Sequence, residues 1–458
     1  MSNKVVFVFH AIDHEYSMGI GFLSAFLRKN GVETDLVIYR ELQGMPGDTA
    51  ESVTSSILSK QPTIVAFSSM IVNWPRLENV ITLLRAMGFN GLIVVGGYHA
   101  ILASETVLRN PGVDAVCVGE GELPLLELAR LYVGTNRHSL PPVSGMVYQG
   151  DNAADLTNRR WMIEKLEDYP YIDYSLFEAE GTEPLAKKHL SALSNAGIFS
   201  LQLITGRGCP YKCSYCSNST LIDYYGGLKK FLRKYSVESA IKNVKEVAQR
   251  FKPQYIEFLD ETFTHNKKWV EEFCRLYKAE VGLPFTVMSR IDIMDDHIVS
   301  VLAEAGAKLV FFGLESGDEE YRINYMNRRM ANKTIIEGAR ILKKHGVMIV
   351  TFNMFGMPFE TKENIKKTFD LNAAIEPDAA VPFVYQIIPA TKLGQLALEN
   401  NMVPTSTDGR WDFCSPSLDT AELPAAYVTG MVENFRERFG NPDVVERVYS
   451  RLREIIAS

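Results

Sequence analysis

Residues 1–135 alternate short apolar runs with segments of helical period. The apolar, β-rich runs are Val5–Phe9, Thr34–Ile38, Thr63–Phe67, Leu92–Val95 and Ala115–Val118, and amphipathic segments such as Met18–Lys29 and Arg76–Ala86 fall between them. Near-continuous apolar strands separated by helices predict a parallel sheet covered on both faces. The expectation for 1–135 is therefore a Rossmann-like, doubly wound parallel sheet. Residues 136–197 lose the periodicity, contain Pro141, Pro142 and Pro170, and are expected to form a connector. A second alternating series starts at Phe199. It predicts strands at Ser200–Thr205, Tyr255–Leu259, Phe285–Ser289, Leu309–Gly313, Met348–Met354 and Ala380–Gln386. Six such β-α units predict a partial (β/α)6 barrel over 198–399, a fold whose functional groups collect at the carboxyl ends of its strands. Residues 400–458 are expected to be a small helical C-terminal cap.

Composition narrows the class of protein. A length of 458 residues suggests about three domains. A net charge of −7 without a long basic run makes nucleic acid an unlooked-for partner. The opening MSNKVVFVFHAIDHE has too short an apolar run for a secretory signal. No apolar stretch approaches the length of a membrane span, so a cytoplasmic protein is expected. There are six cysteines, and three lie within residues 209–216, which argues against a disulfide framework. Cys117, Cys274 and Cys414 are far apart in sequence and are expected to be buried small apolar groups.

The clustered cysteines belong to GRGCPYKCSYCSNS at 206–219, directly after the first strand of the second series. Cys209, Cys213 and Cys216 stand in a C-x-x-x-C-x-x-C spacing. Three thiolates hold three irons of a 4Fe–4S cube and leave the fourth open to another ligand. A zinc site usually takes four ligands in two spaced pairs, and no second pair is present. The motif resembles that of the radical S-adenosylmethionine (SAM) superfamily, in which SAM chelates the open iron and is cleaved to a 5′-deoxyadenosyl radical. Further segments are similar to that family's motifs, in the same order and each at an expected strand end. The resemblance implies that Tyr215 packs near the SAM adenine. FLDETFTHN supplies Asp260 and Glu261 for the SAM ammonium, in place of the family's GGE form. Ser289 and Arg290 follow the third strand, with Arg290 implied to pair with the SAM carboxylate. FFGLESG matches G-x-E-S-G through Gly313, Glu315, Ser316 and Gly317, and implies that Glu315 accepts from SAM. NMFGMPFET resembles G-x-P-x-E-T and implies SAM contacts at Asn353 and Gly356. The likeness covers roughly residues 196–395.

Ahead of such a barrel, the first domain resembles the cobalamin-binding domain of cobalamin-dependent radical SAM enzymes. The residues that carry this are Met18 and Gly19 in MGIGFLSAFLRKNG, then Ser68, Ser69, Met70 and Trp74 after the third strand. Gly96, Gly97, Tyr98 and His99 of GGYHA follow the fourth strand, and Glu120 and Gly121 of GEGE follow the fifth. All fall at the carboxyl edge of the expected sheet, where such folds bind ligands. Glycine at 96 and 97 permits close backbone approach; the resemblance implies that this pair lines the channel for the nucleotide tail and that Ser68 and Ser69 meet the displaced benzimidazole. A nicotinamide or flavin domain wants G-x-G-x-x-G after the first strand, and FHAIDHEYSMGIG lacks it. The D-x-H-x-x-G pattern is also absent. His14 is the best imidazole candidate for the lower face of cobalt, although a face without histidine is the preferred assignment, with Met70, Asn73 and Trp74 approaching instead.

The resemblance implies three cofactors: a 4Fe–4S cluster, SAM and cobalamin. It implies a C-methyltransferase that moves a methyl group from SAM through cobalamin to an unactivated carbon of a peptide, a protein residue or a small-molecule precursor. An electron donor such as ferredoxin or flavodoxin is an implied partner. The alternative is a cyclase, a ring-contracting enzyme or another oxidoreductase with the same cofactors. A tRNA methylthiotransferase ranks lower, because that class carries an extra N-terminal cysteine-ligated cluster and only Cys117 precedes Cys209. A non-enzymatic cobalamin carrier has no use for the three clustered cysteines.

Overall fold

A computed structural model describes residues 3–12, 15–41, 47–132, 137, 140–151, 161–180, 184–402 and 415–457. His14 and Cys414 lie outside the described residues. The chain divides into two compact units, Met1–Ser194 and Asn195–Ser458.

The first unit is built on strands β1 (Lys4–Ala11), β2 (Glu33–Arg40), β3 (Ile64–Ser68), β4 (Leu92–Gly96), β5 (Ala115–Cys117) and β6 (Met146–Tyr148). Their order in the sheet is β2-β1-β3-β4-β5-β6. Every pairing is parallel except β5 with β6. In β1 every residue after Lys4 is buried, as expected of a central strand covered on both faces. One helix-side core joins Val6, Val8, Phe67, Ile93 and Val95 of the sheet to Leu77 and Ile81 of the helix Trp74–Ala86. The expected strands and helices of 1–135 are present. The antiparallel β6 is a difference from expectation, because it falls inside the stretch read as connector. Three residues are too few to show a period-2 pattern. Part of that stretch packs on the helix Met18–Lys29: Arg28 pairs with Asp173 at 2.8 Å, Ser24 donates to Asp173 at 2.9 Å, and Tyr16 stacks on Tyr174.

The second unit contains β7 (Ser200–Leu203), a short antiparallel pair β8 (Gly206–Arg207) and β9 (Arg233–Lys234), and then β10 (Tyr255–Phe258), β11 (Phe285–Ser289), β12 (Ala307–Glu315), β13 (Met348–Phe355) and β14 (Ala379–Val384). The six long strands pair in parallel in chain order, β7-β10-β11-β12-β13-β14. Sequential parallel winding with a helix after each strand is the topology of a partial barrel. Side-chain parity on β13 defines its two faces. Phe355 packs with Phe369 and Phe435 of the covering helices Lys362–Ile375 and Ala425–Phe439, so Thr351 and Asn353 face the helix layer too. Phe352, of opposite parity, stacks on Phe311 of β12 at 5.4 Å. The last helix, Pro442–Ala457, ties the two edge strands at their starts. Its Arg451 pairs with Asp378, just before β14, and its Arg453 donates to the Ala196 carbonyl, shortly before β7, both at 3.2 Å.

Candidate active site

The cysteine loop leaves β7 and is held against its surroundings by backbone contacts. Gly208 has φ +91°, and a Cβ there would lie 2.6 Å from the Phe231 carbonyl oxygen, so only glycine fits. Ser214 receives a bond from Leu393 N at 2.9 Å and its own N–H reaches Met326 O at 3.0 Å, while Asn327 donates to Lys212 O at 2.7 Å. Cys216 precedes the helix Ser217–Tyr224. Cys213 is buried and Cys209 and Cys216 are half-buried. Burial pushes the Cys209 thiol up, and pushes Cys216 up to about 12. Each of these two thiols also feels the charge of Cys213. Among the described residues no three His, Cys, Asp or Glu side chains converge on a single ion. Three thiols of one loop in mutual electrostatic contact, without a common focus, fit ligands that each take a different iron of a cube. Thiols held protonated by burial become thiolates when metal binds, so loading the site releases protons.

Opposite the loop stands Glu315, at the end of β12. The β12–β13 register shifts between Gly313 and Glu315, and Glu315 has φ +68°. A bulge with a left-handed non-glycine residue re-aims a side chain at a cost in backbone strain. Here it turns the carboxylate back over Gly313 towards Tyr215, whose hydroxyl donates to Glu315 Oε1 at 3.1 Å. A Cβ on Gly313 would lie 2.0 Å from that same oxygen. Burial raises the pKa of both Tyr215 and Glu315, and the Arg328 guanidinium opposes the rise in each. Gly317 is needed for a different reason: a Cβ there would lie 2.0 Å from Lys367 O in the helix Lys362–Ile375.

The other barrel residues divide by what they touch. Asp260 is buried and accepts from Thr205 N at 2.9 Å and Thr205 Oγ1 at 2.7 Å, with Lys234 Nζ at 3.4 Å. It pins the start of the cysteine loop and β9 to the end of β10. Glu261 keeps an open face to solvent, and the protein around it pushes its carboxyl upwards. Thr262 reaches Cys209 Sγ at 3.4 Å. Ser289 is buried against the Thr264 hydroxyl. Arg290 lies 3.8 Å above the Tyr211 ring and its Nε and Nη2 are taken by Asp292 at 2.9 and 2.8 Å. The fork read as free for a SAM carboxylate therefore has an internal partner. Asn353 is fully buried on the helix side of β13, bonded to Thr351 Oγ1 at 3.0 Å and to Asn372 at 2.8 Å. The structure does not bring its side chain to the loop, because strand parity aims Phe352 and Met354 the other way. Gly356 has φ +75°, and its N–H donates to Glu360 Oε2 at 2.7 Å.

Sequence reasoning missed Arg328. It is buried, its Nη1 lies 3.6 Å from Cys213 Sγ and its Nη2 donates to Gly313 O at 2.5 Å. The signal was the Arg-Arg pair in MNRRM, which in isolation reads as a solvated surface.

In the first unit the strand order reverses direction between β1 and β3, and ligands of such sheets bind outside the carboxyl ends at that switch point. Ile12 after β1, Met70 after β3 and Tyr98 after β4 are large apolar residues left exposed at that edge. Ser69 is buried and ties two of these loops together, donating from N at 2.8 Å and from Oγ at 2.9 Å to Gly96 O. Gly97 has φ +94°, and a Cβ there would lie 2.5 Å from Ser69 O. Ser68, Gly96, Gly121 and Met18 are half-buried and Gly19 is exposed. Glu120 turns to the connector, accepting from Ile163 N at 2.7 Å. His99 is buried beside Trp74, with ring centroids 5.4 Å apart, and neither of its ring nitrogens has a hydrogen-bond partner. Burial pushes its pKa down to about 4. A neutral imidazole with both nitrogens unused, next to an exposed apolar rim, suits a ligand with apolar faces and polar groups at its edge, as a corrin has.

Comparisons with known proteins match a family to each unit. Residues 203–371 match the Radical SAM superfamily and residues 6–129 match the B12 binding domain. An uncharacterized methyltransferase of Pyrococcus horikoshii is 26% identical over 91% of this chain and 85% of its own length. An anaerobic magnesium-protoporphyrin IX monomethyl ester cyclase of Rubrivivax gelatinosus is 24% identical over 95% of this chain and 76% of its own. Among solved structures, the radical SAM methyltransferase TsrM of Kitasatospora setae, with cobalamin and a 4Fe–4S cluster bound, is 16% identical. The match covers 89% of this chain and 76% of TsrM, with a TM-score of 0.65. The chain thus carries a Radical SAM domain and a B12 binding domain. The two domain matches imply a 4Fe–4S cluster, SAM and cobalamin as cofactors. Among the described residues no helix is long and apolar enough to cross a membrane.

Proposed function

We propose that this enzyme is a C-methyltransferase acting on an unactivated carbon of a peptide, a protein residue or a small-molecule precursor. The observation that carries the reading is the presence in one chain of the three-thiol loop facing Glu315 and a B12-binding sheet edge. The length of the match to the Pyrococcus horikoshii methyltransferase supports it. When bound, cluster and SAM supply hydrogen abstraction and cobalamin supplies methyl transfer, so the protein's contribution is alignment and exclusion of solvent. Tyr215 and Glu315 form an acceptor seat for SAM hydroxyl or amino groups. Arg328 brings a buried positive charge to the thiol pocket. Asp260 and Lys234 fix the loop that carries the cysteines. On the other unit, Ser69 and Gly97 lock the two loops that flank the switch point. A one-electron donor of the ferredoxin or flavodoxin type completes the system, and the cytoplasm is the reducing compartment that fits it.

A second reading, ring formation without methyl transfer, is favoured by the Rubrivivax gelatinosus cyclase, which matches 95% of this chain. Anaerobic turnover with candidate substrates separates the two. Equal yields of S-adenosylhomocysteine and 5′-deoxyadenosine with a product heavier by one CH2 support methylation. 5′-Deoxyadenosine without S-adenosylhomocysteine rejects it in favour of the second reading.

A further inference from the structure

The sulfur of Cys213 has surroundings unlike those of the other two loop cysteines. Cys209 faces the Thr262 hydroxyl and Cys216 the Asn218 amide. Cys213 instead accepts from two buried guanidiniums, Arg328 Nη1 at 3.6 Å and Arg290 Nη1 at 4.0 Å. The two are not equivalent. Arg290 is held on two nitrogens by Asp292, which offsets its charge. Arg328 bonds to the neutral Gly313 carbonyl, and among the described residues no carboxylate hydrogen-bonds to it. Glu315 lies close enough to feel Arg328 without hydrogen-bonding to it.

We propose that Arg328 is a positioning residue for electron uptake: by donating to the Cys213 thiolate it raises the reduction potential of the cluster held by Cys209, Cys213 and Cys216. Reduction adds one electron to an assembly of three thiolates and a cube that is already anionic. A one-electron donor of the ferredoxin or flavodoxin class is oxidised in the same step, and no proton moves. Hydrogen bonds to the sulfurs and local charge set the potentials of such clusters, and a cation in a desolvated site acts more strongly than one in water. The inference rests on the reading of the three cysteines as the cluster site.

The test uses the full chain, reconstituted anaerobically with iron and sulfide. Midpoint potentials are read by titration with dithionite and mediator dyes, following the electron paramagnetic resonance of the reduced cluster. About four irons per chain and a reduced signal in the wild type support the site itself, and their absence defeats that reading separately. Arg328→Met is expected to keep its iron and lower the potential by about 59 mV or more, the equivalent of a tenfold loss in the relative stability of the reduced form. Arg328→Lys should retain most of the wild-type value, and Arg290→Met should shift less than Arg328→Met. Asp292→Asn leaves the Arg290 charge without its counter-ion and should raise the potential. A wild-type potential in iron-loaded Arg328→Met overturns the proposal. Where Arg328→Met assembles no cluster, Arg328→Gln decides, and a wild-type potential in that iron-loaded variant overturns it.

Discussion

Replacing Gly313 by alanine should impair SAM binding by displacing Glu315, although the Glu315 side chain itself is unchanged. The added Cβ would lie 2.0 Å from Glu315 Oε1 and 2.8 Å from its Cδ. The obstacle is the end of a flexible side chain, so the backbone stays and the carboxylate swings out of its seat against Tyr215. Glu315 would lose the place in which the bulge and its left-handed backbone hold it. A hydrogen bond to a charged group contributes about 1.5–3 kcal/mol. At about 1.4 kcal/mol per factor of ten, the dissociation constant should rise roughly 10- to 150-fold. Glu315→Ala should show a loss of similar size. The double variant should be no worse than either single one, because both remove the same interaction. The assay is anaerobic equilibrium dialysis of SAM against reconstituted protein, with iron content as control. Wild-type affinity in Glu315→Ala removes Glu315 from the site. Wild-type affinity in Gly313→Ala alone, with Glu315→Ala impaired, refutes the reasoning that glycine holds the seat open.

Replacing Cys209, Cys213 and Cys216 together by alanine should abolish the iron–sulfur absorbance and SAM cleavage, whereas Cys117→Ala/Cys274→Ala should leave about four irons per chain; both measured by iron assay. His99 has a folded pKa near 4 against an ordinary value of 6.5. Its neutral form is the stable one in the fold, so the stability present above pH 6.5 should fall as pH drops towards 4, by up to roughly 3 kcal/mol. Urea unfolding midpoints should show that fall in the wild type and a weaker one in His99→Phe. Glu360 is buried with one oxygen unpartnered, and its pKa is pushed up to about 8 from 4.5. Its contribution is full below pH 4.5 and declines as pH rises towards 8, so Glu360→Gln should flatten the alkaline side of the same midpoint curve.

The periodicity of the chain carried most of the architecture. Apolar runs such as Val5–Phe9 and Phe285–Ser289 lie in strands because a strand buried on both faces has no other composition open to it. The spacing of Cys209, Cys213 and Cys216 pointed to cluster chemistry, since thiolates a few residues apart in one loop can ligate a common cluster wherever that loop lies. What the sequence could not carry is the direction in which a side chain points once strands are paired. Asn353 occupies a motif position, yet parity on β13 turns it to Asn372 in the helix layer. Arg290 follows its strand as expected, but Asp292, two residues on, takes its fork. Arg328 is remote from the cysteines in sequence and reaches Cys213 only because the segment carrying it folds back over the loop. The Glu315 seat depends on a bulge of one residue, which a pattern of types does not reveal. Local composition determined the elements and the cysteine loop; long-range packing decided which charges face the sulfurs.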